Sequence, residues 1–223
     1  MASVEQSSPT PLVADPAPLG LAAFALTTFL LSGHNATFIP DAIWVGAALF
    51  YGGIVQLLAG MQEFRNRNIF GATAFSSYGG FWLSLGGFVV LISASSGFGA
   101  LLKGPDLANS EAWFVVAFAI FNAYMLLASL RVNMAVMLVF LTLQITEIVL
   151  AIGFFRVAHG ESAYWVHVGG WCGIVTAFVA WYASAAGLVN GLSVRRLLPV
   201  GGPAWRDAPR VSPLETPARG REA

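Results

Sequence analysis

Six long apolar segments constrain this chain more than any other feature of its sequence. They cover residues 19–37, 41–61, 73–95, 111–130, 133–155 and 163–190. An α-helix needs about 20 residues to cross a hydrocarbon layer of roughly 30 Å, and each segment meets or nearly meets that length. Backbone N–H and C=O groups must be hydrogen-bonded inside a membrane, and an α-helix pairs them within a single segment. The sequence therefore predicts an all-α membrane protein with six transmembrane helices per protomer.

The composition supports this class and argues against several others. Only 10% of the 223 residues are charged, whereas soluble proteins have about 25%. The formal net charge is zero, so nothing favours a nucleic acid partner. Cys172 is the single cysteine, and no zinc-binding, dinucleotide-binding or catalytic motif is present. We expect no cofactor, no metal and no enzymatic activity.

Polar segments flank the apolar region. Residues 1–18 lack the basic stretch that begins a signal peptide, so we expect the first apolar segment to remain as a membrane span. Residues 19–190 then form the transmembrane domain. Residues 191–223 are rich in proline and small residues, which predicts a disordered C-terminal tail.

The basic residues predict the orientation of the chain. Loops on the cytoplasmic side carry an excess of lysine and arginine. With six spans, both termini share one side, which would hold Arg65, Arg67, Arg131, Arg195 and Arg196. The other side would hold only Lys103 and Arg156. Both termini are therefore predicted to be cytoplasmic.

Glu147 is the most unusual polar residue within the apolar segments. An ionised carboxylate at the centre of a bilayer costs about 2.5–3.5 kcal/mol, so the neutral acid is favoured there. Gln144 lies one turn away on the same helical face. Two interpretations remain open: a protonatable site that contacts a substrate, or a structural hydrogen bond between helices.

Other polar residues lie on the first, second and fourth segments. On the first, a stripe at helical spacing combines hydroxyl, amide and aromatic side chains: Phe24, Thr27, Thr28, Leu31 and Asn35. Gln56 is predicted to line a passage, and Asn122 fits either helix contact or lining. Glu63, beside Arg65 and Arg67, is predicted to be a solvated or ion-paired residue at the membrane interface.

The stretch PAPLGL, residues 16–21, opens the first segment directly after Asp15. Pro18 fits the first helical turn, and Pro16 keeps the preceding residue extended. Gly20 permits close approach of another backbone or of a ligand. The helix start offers unpaired N–H groups and a positive dipole end, which suit a small anion. Any helix that begins with proline shares these features.

Three motifs, in their order along the chain, resemble those of the acetate uptake transporter family, also called the GPR1/FUN34/YaaH family. They are PAPLGL followed by Thr27–Thr28 and His34–Asn35, then FYGGIVQLLAG, then FGATAFSSYGGFW. The resemblance covers about residues 15–190. The family signature begins with asparagine where this chain has Asp15, and an aspartate can also cap a helix.

The resemblance implies a homohexamer in the plasma membrane, with one pore per protomer that carries acetate, and succinate or another short carboxylate, together with protons. It also implies an apolar constriction of Phe24, Tyr78 and Leu143, the last matched through LTLQITEIVLAIG. Along the path, five residues are expected to offer hydrogen bonds: Thr27, Thr28, Asn35, Gln56 and Gln144.

Glu147 is our candidate for proton coupling, and this assignment comes from its position in the membrane, not from the family pattern. Two alternatives to a proton-coupled transporter stay open. One is a passive channel for acetate or ammonia, and the other is a membrane sensor that does not transport.

Overall fold

The computed structural model describes residues 13–40, 43–94, 97 and 105–205. This part of the chain contains no β-strand and six helices that are long and apolar enough to cross a membrane. They are α1 (Ala17–Asn35), α2 (Ile43–Arg65), α3 (Ile69–Ala94), α4 (Pro105–Ser129), α5 (Met134–Ala158) and α6 (Tyr164–Leu192). The predicted six-span fold is confirmed. The largest difference is that α4 begins six residues before its predicted start at residue 111.

Local sequence explains where several helices begin. The Asp15 carboxylate accepts a hydrogen bond of 3.0 Å from the Ala17 backbone N–H, at the start of α1. The backbone carbonyl of Pro16 accepts the next helical bond, from the N–H of Gly20 at 3.0 Å. At α5 the side chain of Asn133 accepts from the N–H of Val136 at 2.9 Å, as expected of an N-cap residue.

Small residues allow α1 and α6 to cross closely. A Cβ atom on Gly170 would lie 2.5 Å from the backbone nitrogen of Ala36 and 2.7 Å from the carbonyl oxygen of Ser32. At the other end of the pair, the Ser184 hydroxyl donates to the Pro18 carbonyl at 2.6 Å. In lipid, helix association depends on such close packing and on interhelical hydrogen bonds. The pair therefore holds the start of α1 at a fixed place in the bundle.

The span α2 contains a π-helical stretch, Phe50–Val55, between two α-helical parts. Here Gly52 packs on α1, since an added Cβ would lie 2.6 Å from the hydroxyl oxygen of Thr27. The extra residue in the turn shifts the helical register, and α-helix resumes at Gln56. Stretches of this kind occur frequently at functional sites.

Residues 193–205 follow a defined path back across the end of the bundle. The Asn190 side chain accepts from the N–H groups of Leu197 and Leu198, at 2.8 and 3.0 Å, and donates to the Leu198 carbonyl. Farther along, the Val200 carbonyl accepts from the Ala135 N–H at 3.0 Å. The predicted disorder of residues 191–223 therefore does not hold for this stretch, because its backbone is hydrogen-bonded to the helices. Residues 206–223 lie outside the described residues.

Candidate functional site

Two cavities enter the helical bundle from opposite ends. The terminal cavity, of about 370 Å³, lies at the end where α1 begins and α6 finishes. Its outer lining includes Asp15, Glu63 and Asn190. The distal cavity, also of about 370 Å³, lies at the other end, and its lining includes Asn35 and His167. A route through the protomer would have to join these two cavities.

The three residues predicted to form a constriction all line the terminal cavity: Phe24, Tyr78 and Leu143. They come from α1, α3 and α5, and all three are buried. The rings of Phe24 and Tyr78 meet edge to face, with centroids 5.6 Å apart. The structure thus assembles one apolar group from three separate motifs.

On α1 and α5, a stretch without lining residues separates the two cavities, and we call these stretches the closed section. On α1, Phe24 lines the terminal cavity and Leu31 the distal one. On α5, Leu143 and Leu150 do the same. Seven residues of α-helix rise roughly 10 Å. The lining residues of the two cavities are therefore about two turns apart on α1 and α5. On α3 they are closer, since Tyr78 lines the terminal cavity and Phe81 the distal one, with ring centroids 6.3 Å apart.

Two buried polar residues lie within this closed section. Thr28 lies one turn beyond Phe24, and Glu147 lies one turn beyond Leu143. The Glu147 residue is 6% exposed. In the described part of the protein, the Thr28 hydroxyl and the Glu147 Oε2 atom have no hydrogen-bond partner. A buried polar atom without a partner is unfavourable. Both atoms therefore keep an unused capacity for a hydrogen bond.

Two further predicted path residues lie in the cavities themselves. Gln56, at the end of the π-helical stretch, is buried and lines the terminal cavity. Its side-chain oxygen has no partner within the described residues. Asn35, the last residue of α1, lines the distal cavity. Gln56 therefore lies in one cavity and Asn35 in the other.

Thr27 and Gln144 have their hydrogen bonds within the bundle instead. The Thr27 hydroxyl donates to the Ala23 carbonyl at 3.0 Å. The Gln144 amide donates to the Ala119 carbonyl at 3.2 Å, and its oxygen accepts from Asn122 at 3.0 Å. Among the described residues, neither Thr27 nor Gln144 belongs to the lining of the two cavities. Gln144 thus connects α5 to α4, whereas the Thr27 bond lies within α1 and its side chain packs against Gly52 of α2.

The PAPLGL stretch lies at the mouth of the terminal cavity. Asp15 and Pro18 line it directly, while Pro16 is buried. Gly20 does permit a close approach, but the neighbour is the ring of Phe75, 2.7 Å from the position of an added Cβ. The stretch therefore positions α1 against α3 as well as shaping the mouth.

The sequence-based prediction for Glu63 is wrong. Glu63 is 1% exposed and lines the terminal cavity, while Arg65 and Arg67 are exposed to the outside. Because α3 begins at Ile69, its first turn covers the acid, and an added Cβ on Gly71 would lie 2.6 Å from Glu63 Oε1. The missed signal is the glycine that faces Glu63 across the short connection.

These features define the class of protein. A bundle of six spans with a cavity at each end, one of them lined by Phe24, Tyr78 and Leu143, is the architecture of a membrane transporter or channel. The comparisons identify the group within this class. The chain belongs to the GPR1/FUN34/yaaH family, whose model matches residues 2–199.

Two relatives align with most of the length of this chain. Acetate permease A of Emericella nidulans is 38% identical over 212 residues, which are 89% of this chain and 69% of that protein. The succinate-acetate/proton symporter SatP of Escherichia coli is 35% identical over 190 residues, 85% of this chain and 96% of that one. The chain spans 64 to 69% of the length of the fungal relatives at the highest identities.

A solved structure supports the fold as well. It is the structure of the bacterial acetate channel SatP, with a TM-score of 0.77 and 33% sequence identity. The match covers 85% of this chain and 99% of that chain. The comparisons and the six apolar helices together make this chain a multi-pass membrane protein of the GPR1/FUN34/yaaH family.

Proposed function

We propose that this protein carries acetate, and succinate or another short carboxylate, across the plasma membrane together with protons. The observation that carries the proposal is that Phe24, Tyr78 and Leu143, from three separate helices, line the terminal cavity together. We propose that these three side chains form an apolar ring at its inner end. The names of the relatives support the substrate class. We propose no enzymatic activity and no cofactor.

The apolar ring would select the substrate by its shape and hydration. A hydrated inorganic ion loses its water at an apolar constriction without gaining replacement ligands. Acetate presents a methyl group to the ring and keeps one end polar. Gln56 before the ring, Thr28 within the closed section and Asn35 beyond it would supply hydrogen bonds in sequence. Thr27 and Gln144 would act indirectly, through helix packing.

Glu147 is the proposed site of proton coupling. Its Oε2 atom has no partner within the described part of the protein, and it lies in the section that separates the cavities. A carboxyl group there can take up a proton from one side and release it to the other. The neutral acid and the carboxylate would then alternate as the substrate passes.

A passive acetate channel is the second candidate, and the name of the matched bacterial structure favours it. The two mechanisms differ in net charge movement. Symport of one acetate ion with one proton moves no net charge, so uptake follows the pH gradient and ignores the membrane potential. Passage of the acetate ion alone carries charge, so a potential that is positive inside drives uptake.

Labelled acetate uptake into proteoliposomes distinguishes these mechanisms. The initial rate is measured with an outside-acid pH gradient at zero potential, and then with a potassium diffusion potential at equal pH. Empty liposomes correct for diffusion of neutral acetic acid. We expect protein-dependent uptake that responds to the pH gradient. A response to the potential alone would favour the channel. No protein-dependent uptake would contradict acetate transport and leave ammonia passage or a sensor as alternatives.

We also propose a homohexamer with both termini in the cytoplasm, on the basis of family resemblance and the distribution of basic residues. Three glycines on α2 and α3 have open space where a Cβ would lie, with no heavy atom within 4 Å: Gly46, Gly80 and Gly87. Such faces allow close contact between protomers. Mass photometry of the detergent-solubilised protein would test the hexamer, and a monomeric mass would contradict it.

A further inference from the structure

Asn122 on α4 connects three helices behind the constriction. It is 0% exposed. Its side-chain oxygen accepts a hydrogen bond of 2.9 Å from the Tyr78 hydroxyl on α3. Its amide donates to the Phe140 carbonyl and to the Gln144 side-chain oxygen on α5, each at 3.0 Å. Both N–H groups of the amide are therefore used, and the oxygen is committed to Tyr78.

This arrangement fixes which part of Tyr78 faces the cavity. The ring lines the terminal cavity beside Phe24, whereas the hydroxyl is bound to Asn122, which is not among the residues that line that cavity. Five aromatic side chains pack around the Tyr78 ring, and none of them carries a polar atom: Phe24, Phe81, Phe118, Phe121 and Phe140. Without Asn122 the hydroxyl would lose its hydrogen bond in this aromatic surrounding, which is unfavourable. A movement of the whole side chain towards the polar contents of the cavity would then restore a hydrogen bond.

We propose that Asn122 is a positioning residue that determines substrate selectivity by holding the Tyr78 hydroxyl away from the transport path. The constriction then presents only apolar surface. A short acid with a methyl end fits this surface, while a hydroxy acid of the same size must give up hydrogen bonds to water and gains none. The inference rests on the proposed transport function and deepens it.

Glycolate and propionate provide the sharpest test, since they differ by a hydroxyl in place of a methyl group. The measured quantity is the ratio of their initial uptake rates into proteoliposomes, corrected with empty liposomes. In Asn122→Leu we expect the ratio of glycolate to propionate to rise on the order of three- to tenfold, the worth of one hydrogen bond. Asn122→Asp keeps an acceptor oxygen for Tyr78 and should restore the ratio towards the wild-type value.

A double variant separates positioning from general loosening. In Asn122→Leu/Tyr78→Phe no hydroxyl can enter the path, so the ratio should return to the wild-type value. If the ratio rises equally in the single and double variants, Asn122 does not act through the Tyr78 hydroxyl, and the inference is overturned.

Tyr78→Phe alone keeps the inference testable if Asn122→Leu does not fold. The hydroxyl does not face the path in the wild type, so its removal should change both rates by the same factor. A severalfold fall in the ratio would mean that the hydroxyl already contacts the substrate, which contradicts the proposal. Absence of any protein-dependent flux in the wild type would instead refute the transport function itself.

Discussion

Replacement of Glu147 by glutamine tests the proposed proton coupling with little change of shape. The neutral amide resembles the protonated acid in size and polarity, but it cannot release a proton. An ionised carboxylate at the centre of a bilayer costs about 2.5–3.5 kcal/mol, and glutamine avoids that cost. We therefore expect Glu147→Gln to insert and fold as well as the wild type, which size-exclusion chromatography would check.

The expected loss concerns the response to the pH gradient. For an acid that crosses with one proton, a gradient of one pH unit supports about tenfold accumulation, equivalent to about 1.4 kcal/mol. If Glu147 carries that proton, the stimulation of the initial rate by the gradient should disappear in Glu147→Gln. Uptake driven only by the acetate concentration should continue, since the apolar ring remains intact.

The matched control is Glu161→Gln, which also replaces one carboxylate by an amide. Glu161 lies in the connection between α5 and α6, is exposed, and pairs with Arg156 at 2.6 Å. Exposed ion pairs contribute about 0–1 kcal/mol, so this variant should retain both folding and gradient response. A full gradient response in Glu147→Gln would refute the reasoning, because proton movement would then not need this carboxyl group.

Two further predictions test how the bundle is held together. In Gly170→Ala the new methyl group would lie 2.5 Å from the Ala36 backbone nitrogen, so we expect a loss of about 1–3 kcal/mol and a lower thermal midpoint in detergent. Gly191→Ala, where a Cβ meets nothing within 4 Å, is the control, and equal midpoints would contradict the prediction. Asn190→Ala removes three hydrogen bonds to Leu197 and Leu198, so residues 193–205 should be cleaved faster by a protease. Unchanged cleavage would show that other contacts suffice to hold the segment.

The six spans could be predicted from sequence because hydrophobic length is a local property. The motifs also pointed to Phe24, Tyr78 and Leu143, which the structure brings to one cavity, while their role as a constriction stays a prediction. The relative positions of residues on α1 and on α5 could be predicted from helical spacing alone. The stripe from Phe24 to Asn35 indeed runs from one cavity to the other.

The remaining features of the structure depend on contacts between helices, and such contacts cannot be read from local patterns in a single sequence. Gln144 looked like a path residue because its partner, Asn122, lies 22 positions away on another helix. Glu63 looked exposed because the burial comes from the first turn of α3. The π-helical stretch at Phe50–Val55 could have been suspected from the adjacent glycines Gly52 and Gly53, but its register is set by packing on α1. The disorder predicted for residues 191–223 does not hold for residues 193–205, because amino-acid composition cannot indicate specific hydrogen bonds such as those of Asn190.

The central claim is that acetate passes through the ring that lines the inner end of the terminal cavity. The most direct measurement is acetate uptake by proteoliposomes of Leu143→Cys, in a background with Cys172 replaced by alanine, before and after modification with a charged methanethiosulfonate reagent. We predict that modification reduces uptake to the level of empty liposomes and that a reductant restores it, which excludes misfolding as the cause. Full uptake with Leu143→Cys completely modified, as judged by mass spectrometry, would contradict the claim.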